Sequence, residues 1–532
     1  MLVLDMDILI RNGTILDGTG GAARKGDIAI RNGKIRALGE GLRERADQTI
    51  DAEGMIVAPG FVDILNHSDA YLTILKNPAS ESLLSQGITT AVIGNCGASL
   101  APITHGNLIS AMQKWSEVRD VNVDWERFGE LLDVIDRFRP GVNVAGLVGH
   151  TTLRRAFIGD ATRDVTEGEL NGMVTLLEGA LNEGAFGLSF APSYVHARGT
   201  PAWEIDALAQ AVGRGEGYLA VHLRNEGADI VEAINEAVGI AKRAGISLQI
   251  SHLKPSVEGE PHFSEALERI EAAAREGTSN IHFDVFPWRT SFTVLYLLFP
   301  HWVQEGGFPA MRKRLHDIAI RSRAIQEMQQ QNIPWDHYIV AEAKRNKNAI
   351  GKSVTDIGRI MGVAPAEAAV NLFIEHEGRV LLLRRGGDLA LLSQTLRHPR
   401  SFIASAGGGY RKEDAVNGTR IHPRSFGTMA KFLGKFVHDE KLLSLEEAVA
   451  KISGRPAAKI GLRDRGTLAL GNAADIVVFD AARIRNNATI AAPFAYPSGI
   501  AWVVVNGAIA VNPDGITGAR TGRALRKAVP GK

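Results

Sequence analysis

From about residue 59 onward the chain repeats one local pattern, a short apolar strand, a glycine-bearing loop and an amphipathic helix. The strands include Val142-Asn-Val-Ala-Gly-Leu-Val, Ala185-Phe-Gly-Leu-Ser-Phe, Tyr218-Leu-Ala-Val-His, Ser247-Leu-Gln-Ile-Ser-His and Asn280-Ile-His-Phe-Asp-Val-Phe. Helices are predicted between them over 167–182 and 228–244; in the second, Ile230, Val231, Ile234, Ala237, Val238 and Ala241 recur at three- and four-residue spacing. Strands apolar on both faces, each followed by a helix, imply a parallel sheet covered by helices. More than six such units favour closure, so the expected class is α/β, a (β/α)8 TIM-like barrel over residues 59–464.

The two ends of the chain follow a different pattern. Asp7-Ile-Leu-Ile-Arg, Thr14-Ile-Leu-Asp, Asp27-Ile-Ala-Ile-Arg and Lys34-Ile-Arg-Ala-Leu are short strands separated by Asn12-Gly, Asp17-Gly and Asn32-Gly turns. Gly466-Thr-Leu-Ala-Leu-Gly-Asn-Ala-Ala-Asp-Ile-Val-Val-Phe-Asp and Trp502-Val-Val-Val-Asn-Gly return to it. A small composite β-sandwich is therefore expected from residues 1–58 plus 465–532. Between about 293 and 348 no barrel strand is legible and charged helical stretches dominate, which predicts a lid insertion on the catalytic rim. The basic segment 520–532 reads as a solvated, partly disordered terminus.

Sixty Lys and Arg against 59 Asp and Glu leave a net charge of +1, which argues against a nucleic-acid or anionic-membrane footprint and leaves a small molecule as the expected partner. Homo-oligomerisation stays open. Asp5 and Asp7 interrupt any signal-peptide core, so a cytoplasmic location is expected. The longest uncharged run, 82–113, carries Asn95, Pro102 and several glycines and reads as a strand with a following loop rather than a membrane span. A single cysteine, Cys96, excludes an intrachain disulfide.

Four residues sit at the C-terminal ends of predicted barrel strands: His67, Cys96, His222 and His252. In a barrel these ends open on one face, so residues distant in sequence converge there. A thiolate and imidazoles suit zinc. A lone strand histidine is also readily a hydrogen-bonded structural residue, and a buried cysteine a small hydrophobe; it is the coincidence of several at equivalent ends that favours a metal.

Three further motifs carry a resemblance. Asp7-Ile-Leu-Ile-Arg-Asn-Gly-Thr-Ile-Leu-Asp-Gly, Val57-Ala-Pro-Gly-Phe-Val-Asp and Gln86-Gly-Ile-Thr-Thr-Ala-Val-Ile-Gly-Asn-Cys-Gly, continued by His222-Leu-Arg-Asn-Glu, Ser251-His-Leu-Lys and His422-Pro-Arg-Ser-Phe-Gly-Thr, resemble the N-acyl-D-amino-acid deacylase (D-aminoacylase) branch of the amidohydrolase superfamily. The resemblance implies a barrel with a composite sandwich and a lid, and one zinc on Cys96, His222 and His252. His67 is a weaker ligand and a catalytic candidate with Cys96.

Two positions depart from the family pattern. The first histidine of its His-x-His motif is Leu65, and the aspartate of its Ser-Asp-Gly motif is Ala406 in Ile403-Ala-Ser-Ala-Gly-Gly-Gly. Leucine binds no metal and alanine carries no proton, so a second zinc site lacks ligands and the usual general base is gone. His150, Tyr194 or His196, each after a strand, are candidates to move protons instead. A Tyr-Pro-Tyr-like segment is replaced by Phe286-Pro-Trp-Arg, which makes Trp288 and Arg289, with Lys254, Arg224 and Arg424, the candidate substrate contacts. The expected activity is hydrolysis of an amide C–N bond in a small carboxylate-bearing substrate. A repurposed zinc lyase or retro-aldol enzyme and a non-catalytic relative remain open.

Overall fold

The computed structural model describes residues 6–104, 123–277, 280–331, 333–343, 345–415 and 421–528. Eight parallel strand segments form the centre: β1 (Phe61–Asp63), β2 (Ile88–Ile93), β3 (Asn143–Gly146, continued by Val148–Gly149), β4 (Gly187–Phe190), β5 (Tyr218–Val221), β6 (Ser247–Ile250), β7 (Ile281–Val285) and β8 (Ser401–Ile403). Each pairs in parallel with the next. The barrel closes between β8 and β1. The Ala406 N–H donates to the Leu65 carbonyl at 2.9 Å, the Ser405 N–H donates to Asp63 Oδ1 at 2.8 Å, and the Ser405 hydroxyl donates to Asp63 Oδ2. Nearly every strand residue is buried, as a sheet faced by side chains inside and helices outside demands.

The helices form where the apolar spacing predicts them. Thr166 caps helix Glu167–Asn182 in a capping box with Glu169, and Met173, Leu177, Ala180 and Leu181 face inward. Helix Ile230–Ala244 buries Ile230, Ala233, Ile234, Ala237, Val238, Ile240 and Ala241 and stops at Gly245, whose φ of 66° is the left-handed conformation a helix end favours. Burying each large aliphatic side chain in this stripe is worth roughly 1.5–3 kcal/mol.

The chain ends share one nine-stranded ladder, in which strand Ile56–Pro59 lies beside strand Ile476–Phe479 and carries the N-terminal strands into the C-terminal ones. The ladder folds over an apolar core of Ile8, Ile10, Ile28, Ile30, Val57, Ile476 and Val504. The basic tail is not loose. Arg523 and Leu525 hydrogen-bond to the backbone of Val144, the Lys527 N–H donates to the Gly184 carbonyl, and Arg526 pairs with Asp133 and Asp136. Its charges are the ends of an ordered strap along β3; residues 529–532 lie outside the described set, as do 105–113 at the end of the uncharged run.

The insertion between β7 and β8 is longer than the 293–348 expected. Strands Ser291–Val294, Tyr338–Ala343 and Val380–Arg384 form an antiparallel sheet, and helices from Gly307–His316 to Pro365–Glu375 pack on it around Val294, Leu295, Phe299, Met311 and Phe373. A short apolar strand next to a helix looks alike in an insertion and in a barrel, so its far boundary was not legible locally. No single helix among the described residues is long and apolar enough to cross a membrane.

Candidate metal centre and substrate cavity

The loop after β2 is built to present one side chain. Gly94 (φ 77°) must be glycine, because a Cβ there would lie 2.0 Å from the Leu147 carbonyl oxygen. Its N–H donates to Asp69 at 2.8 Å and its carbonyl accepts the Ser189 hydroxyl, which in turn accepts the Gly97 N–H at 3.0 Å. Held between β1 and β4, the turn forces Cys96 to φ 55°. His252 after β6 has φ 38° and Ala406 after β8 has φ 45°. Left-handed non-glycine residues cost on the order of 1 kcal/mol or more each, and they collect at functional rims.

These turns bring three donor atoms together. Cys96 Sγ lies 3.5 Å from His252 Nε2, His252 Nε2 lies 3.0 Å from His222 Nδ1, and all three atoms fall within 4.8 Å of one another. A tetrahedral zinc with bonds of about 2.0–2.3 Å needs its ligand atoms roughly 3–4 Å apart, so the set fits the metal in chemistry and in spacing. Glu226 makes the fit stronger. His252 Nδ1 donates to Glu226 Oε1 at 2.7 Å, which leaves Nε2 as the lone-pair nitrogen, while Lys254 Nζ donates to Glu226 Oε2 at 3.0 Å. Burial opposes ionisation of Glu226, but the Lys254 ammonium and the hydrogen bond from His252 outweigh it and hold the carboxyl well below its usual range. Burial also lowers His252, keeping it the neutral imidazole a metal requires. Glu226 was not singled out from sequence; its signal was the glutamate ending His222-Leu-Arg-Asn-Glu.

His67 stands beside this group, with Nε2 3.8 Å from Cys96 Sγ. Leu65 and Ala406, where the resemblance called for a histidine and an aspartate, are both buried in one apolar cluster with Phe286 and Trp288. Apolar packing therefore occupies the side of the centre where a second metal's partners were expected.

The centre opens into a cavity of about 430 Å³. Lys254 and Arg424, both largely buried, line it, and the Arg424 guanidinium sits 4.7 Å from the Phe286 ring centroid with Nε unpartnered. The insertion supplies Ser291, Phe292, Thr293, Leu297, His301 and Arg384 to the wall. Arg224 lines it too, but its guanidinium is held by Glu236 at 2.6 and 2.8 Å and by the Arg198 carbonyl. Trp288 and Arg289 do not face this cavity. Trp288 is buried beneath the Lys431 ammonium, 3.5 Å from its ring, and Arg289 Nε donates to the Gly387 carbonyl. The chain turns back after Phe286, the Trp288 N–H meeting the Phe286 carbonyl at 2.8 Å, so only Phe286 of that segment reaches the wall.

The three proton-transfer candidates separate. His150 is fully buried, bonded to Glu204 at 2.8 Å, and faces neither cavity that touches the centre. His196 lies in a neighbouring cavity, 3.8 Å from Asp160. Tyr194 is at the centre, its ring 5.3 Å from that of His222; burial pushes its phenol well above the usual range, so it remains a donor.

A sequence model described as the amidohydrolase family matches residues 48–294 and 416–511. The chain is 33% identical over 503 residues, 94% of its length and 91% of the relative's, to the N-acyl-D-aspartate deacylase of Alcaligenes xylosoxydans xylosoxydans. It is similar, at 30% identity and a TM-score of 0.84 over 98% of this chain and 100% of the other, to the N-acyl-D-glutamate deacylase of Bordetella bronchiseptica, solved with zinc and a phosphonate that mimics the reaction's tetrahedral intermediate. A D-aminoacylase structure that reports one-metal activation and second-metal attenuation of a binuclear centre aligns at 30% identity and a TM-score of 0.83, with the same coverage.

Proposed function

Because the chain belongs to the amidohydrolase family and is D-aminoacylase-like along nearly its whole length, we propose that it is a mononuclear zinc hydrolase of an amide C–N bond in a small carboxylate-bearing substrate. The observation that carries this reading is the convergence of Cys96, His222 and His252 at the floor of a cavity whose wall holds Lys254 and Arg424. A zinc ion on those three residues would supply Lewis acidity toward an amide carbonyl. The single-metal activation described for the D-aminoacylase neighbour supports the same arrangement.

The chain's own groups divide the remaining work. Lys254 and Arg424 attract the substrate carboxylate, and their burial in a water-poor wall strengthens that attraction. The Tyr194 hydroxyl donates toward charge that develops on the carbonyl oxygen. Glu226 fixes the His252 ring in its useful tautomer. His67 takes a proton from the attacking water and returns it to the departing nitrogen, so that hydroxyl ends on the acyl carbon and the amine leaves protonated.

The test pairs metal content with turnover. Protein purified without chelators should hold about one zinc per chain and should hydrolyse some member of a panel of N-acyl-D- and N-acyl-L-amino acids, with activity lost on chelation and restored by one equivalent of zinc. Less than about half a zinc per chain overturns the reading.

A further inference from the structure

A second cavity of about 260 Å³ adjoins the centre and shares two walls with the first, Cys96 and Tyr194. Neither Lys254 nor Arg424 borders it. Its surface is mainly that of Tyr296, Phe308, Pro309 and Met311 from the insertion and Ala98 and Val195 from the barrel, with the Tyr296 and Phe308 rings edge to face at 5.4 Å. The charged groups of its wall are turned on one another. Asp160 pairs with Arg155 at 2.7 Å and lies 3.8 Å from His196 Nε2, while the Gln304 amide donates to the Phe299 carbonyl at 2.7 Å. Of the ion pair the carboxylate is the more accessible partner, 34% exposed against 11%. The insertion is pressed against it, since a Cβ on Gly307 would come within 3.0 Å of Asp160 Oδ2.

A substrate arm that enters here meets apolar side chains and one accessible carboxylate. An acid-ended arm would lose its water and face like charge, whereas an apolar arm gains by leaving water. Position decides which arm it is. The acyl chain leaves from the carbonyl carbon, the atom that has to lie between the metal ligands and Tyr194. An amino-acid side chain instead shares its carbon with the carboxylate, two bonds further on, and belongs beside Lys254 and Arg424. Resting on the hydrolase reading above, we infer that the second cavity is the acyl subsite and that it takes an uncharged, apolar acyl group of about the size of phenylacetyl. At about 30 Å³ per water-sized group the cavity has room for roughly eight non-hydrogen atoms. A benzyl group nearly fills that room and sets its ring against Tyr296 and Phe308, while the single methyl of an acetyl group leaves most of it empty. The insertion thus acts as more than a cover, since it builds the apolar half of the pocket that selects the acyl group.

Binding is measured by titration calorimetry on the zinc-loaded protein, with turnover followed separately, and the probes are N-acylated alanines in whichever configuration binds more tightly. N-phenylacetyl-alanine should bind at least about tenfold more tightly than N-acetyl-alanine, N-succinyl-alanine more weakly than N-butanoyl-alanine, and N-(biphenyl-4-ylacetyl)-alanine at least about tenfold more weakly than the phenylacetyl probe. A smaller phenylacetyl gain, a succinyl probe that binds as well as the butanoyl one, or a biphenyl probe that binds as well as the phenylacetyl one each overturns the inference. Phe308→Ala removes one wall of the pocket. It should cut the phenylacetyl gain below about threefold, while the ratio between N-acetyl-phenylalanine and N-acetyl-alanine, which reports the amino-acid side of the first cavity, holds within about twofold. An undiminished gain, or equal losses on both sides, refutes the assignment. Should Phe308→Ala not fold, the size limit on the parent protein still decides, because an acyl group lying in the wider first cavity would admit the biphenyl probe. If the phenylacetyl preference is found and no amide is cleaved, the subsite stands and the hydrolase reading falls; cleavage with no preference gives the reverse.

Discussion

Ala406 is the position at which one substitution should raise the rate most. Its φ of 45° is a conformation in which aspartate and asparagine are several-fold enriched and alanine is strained by on the order of 1 kcal/mol. The backbone there is fixed from both sides, by the Ala406 N–H on the Leu65 carbonyl and by Ser405 on Asp63. Ala406→Asp therefore enters a backbone already shaped for it. The new carboxylate would be buried beside Leu65, and Asp63, held by Ser405 next to it, already titrates at about 6 because burial outweighs its hydrogen bonds. We expect a stability loss of about 1–3 kcal/mol from that desolvation, partly offset by relief of the alanine's strain. Against this, a positioned general base is worth about 10² to 10⁴ in rate, or roughly 3–5 kcal/mol of barrier. The assay is kcat/KM on the best N-acyl-amino acid for the parent, Ala406→Asp, Leu65→His and the double variant, with zinc content and melting temperature measured on each. Ala406→Asp should gain at least about tenfold, Leu65→His alone should gain nothing and lose stability, and the double variant should bind a second zinc. A folded Ala406→Asp protein that keeps its zinc yet shows an unchanged kcat/KM refutes the argument that the missing aspartate limits the reaction.

Other consequences are more local. Cys96→Ala should drop zinc content from about one per chain to near zero and abolish hydrolysis while the circular dichroism spectrum is unchanged; retained metal would mean the thiolate is not a ligand. Glu226→Gln should weaken zinc about 10- to 100-fold in a chelator competition, and an unaltered affinity would remove Glu226 from the support of His252. Asp63 has its pKa raised from 3.8 to about 6, so between those values the folded chain binds more protons than the unfolded one. Its contribution to stability is fully present below pH 3.8 and is lost as pH rises through about 6, an effect on the order of a few kcal/mol. Asp63→Asn should flatten that part of the pH dependence of the urea midpoint; an identical slope would assign it to other groups. Ile234→Ala, which empties a buried site in helix Ile230–Ala244, should cost about 2–5 kcal/mol in urea unfolding and leave zinc binding unaffected.

The barrel and the convergence of the candidate ligands were legible in the sequence, the first from local pattern and the choice of Cys96, His222 and His252 from the family resemblance. The recurrence of strand, loop and helix dictates parallel pairing, and a barrel carries every strand's C-terminal end to one face. The positions of Cys96, His222 and His252 at those ends therefore already imply that they converge. The losses at Leu65 and Ala406 were equally visible, since each falls within a recognisable motif.

What the tertiary structure alone decided were contacts between segments with no shared pattern. The carboxylate of Glu226 reaches His252 only because the loops after β5 and β6 lie side by side. Trp288 and Arg289 looked like substrate contacts, but a backbone turn directs them away from the cavity, and no side-chain chemistry in the motif signals that turn. The tail's charges read as a solvated end until Asp133, Asp136 and the edge of β3 were seen to receive them. Backbone periodicity is a local property and can be read from one strand or helix at a time. The surroundings of a single polar group depend on which distant segments pack around it, and only the folded chain specifies those.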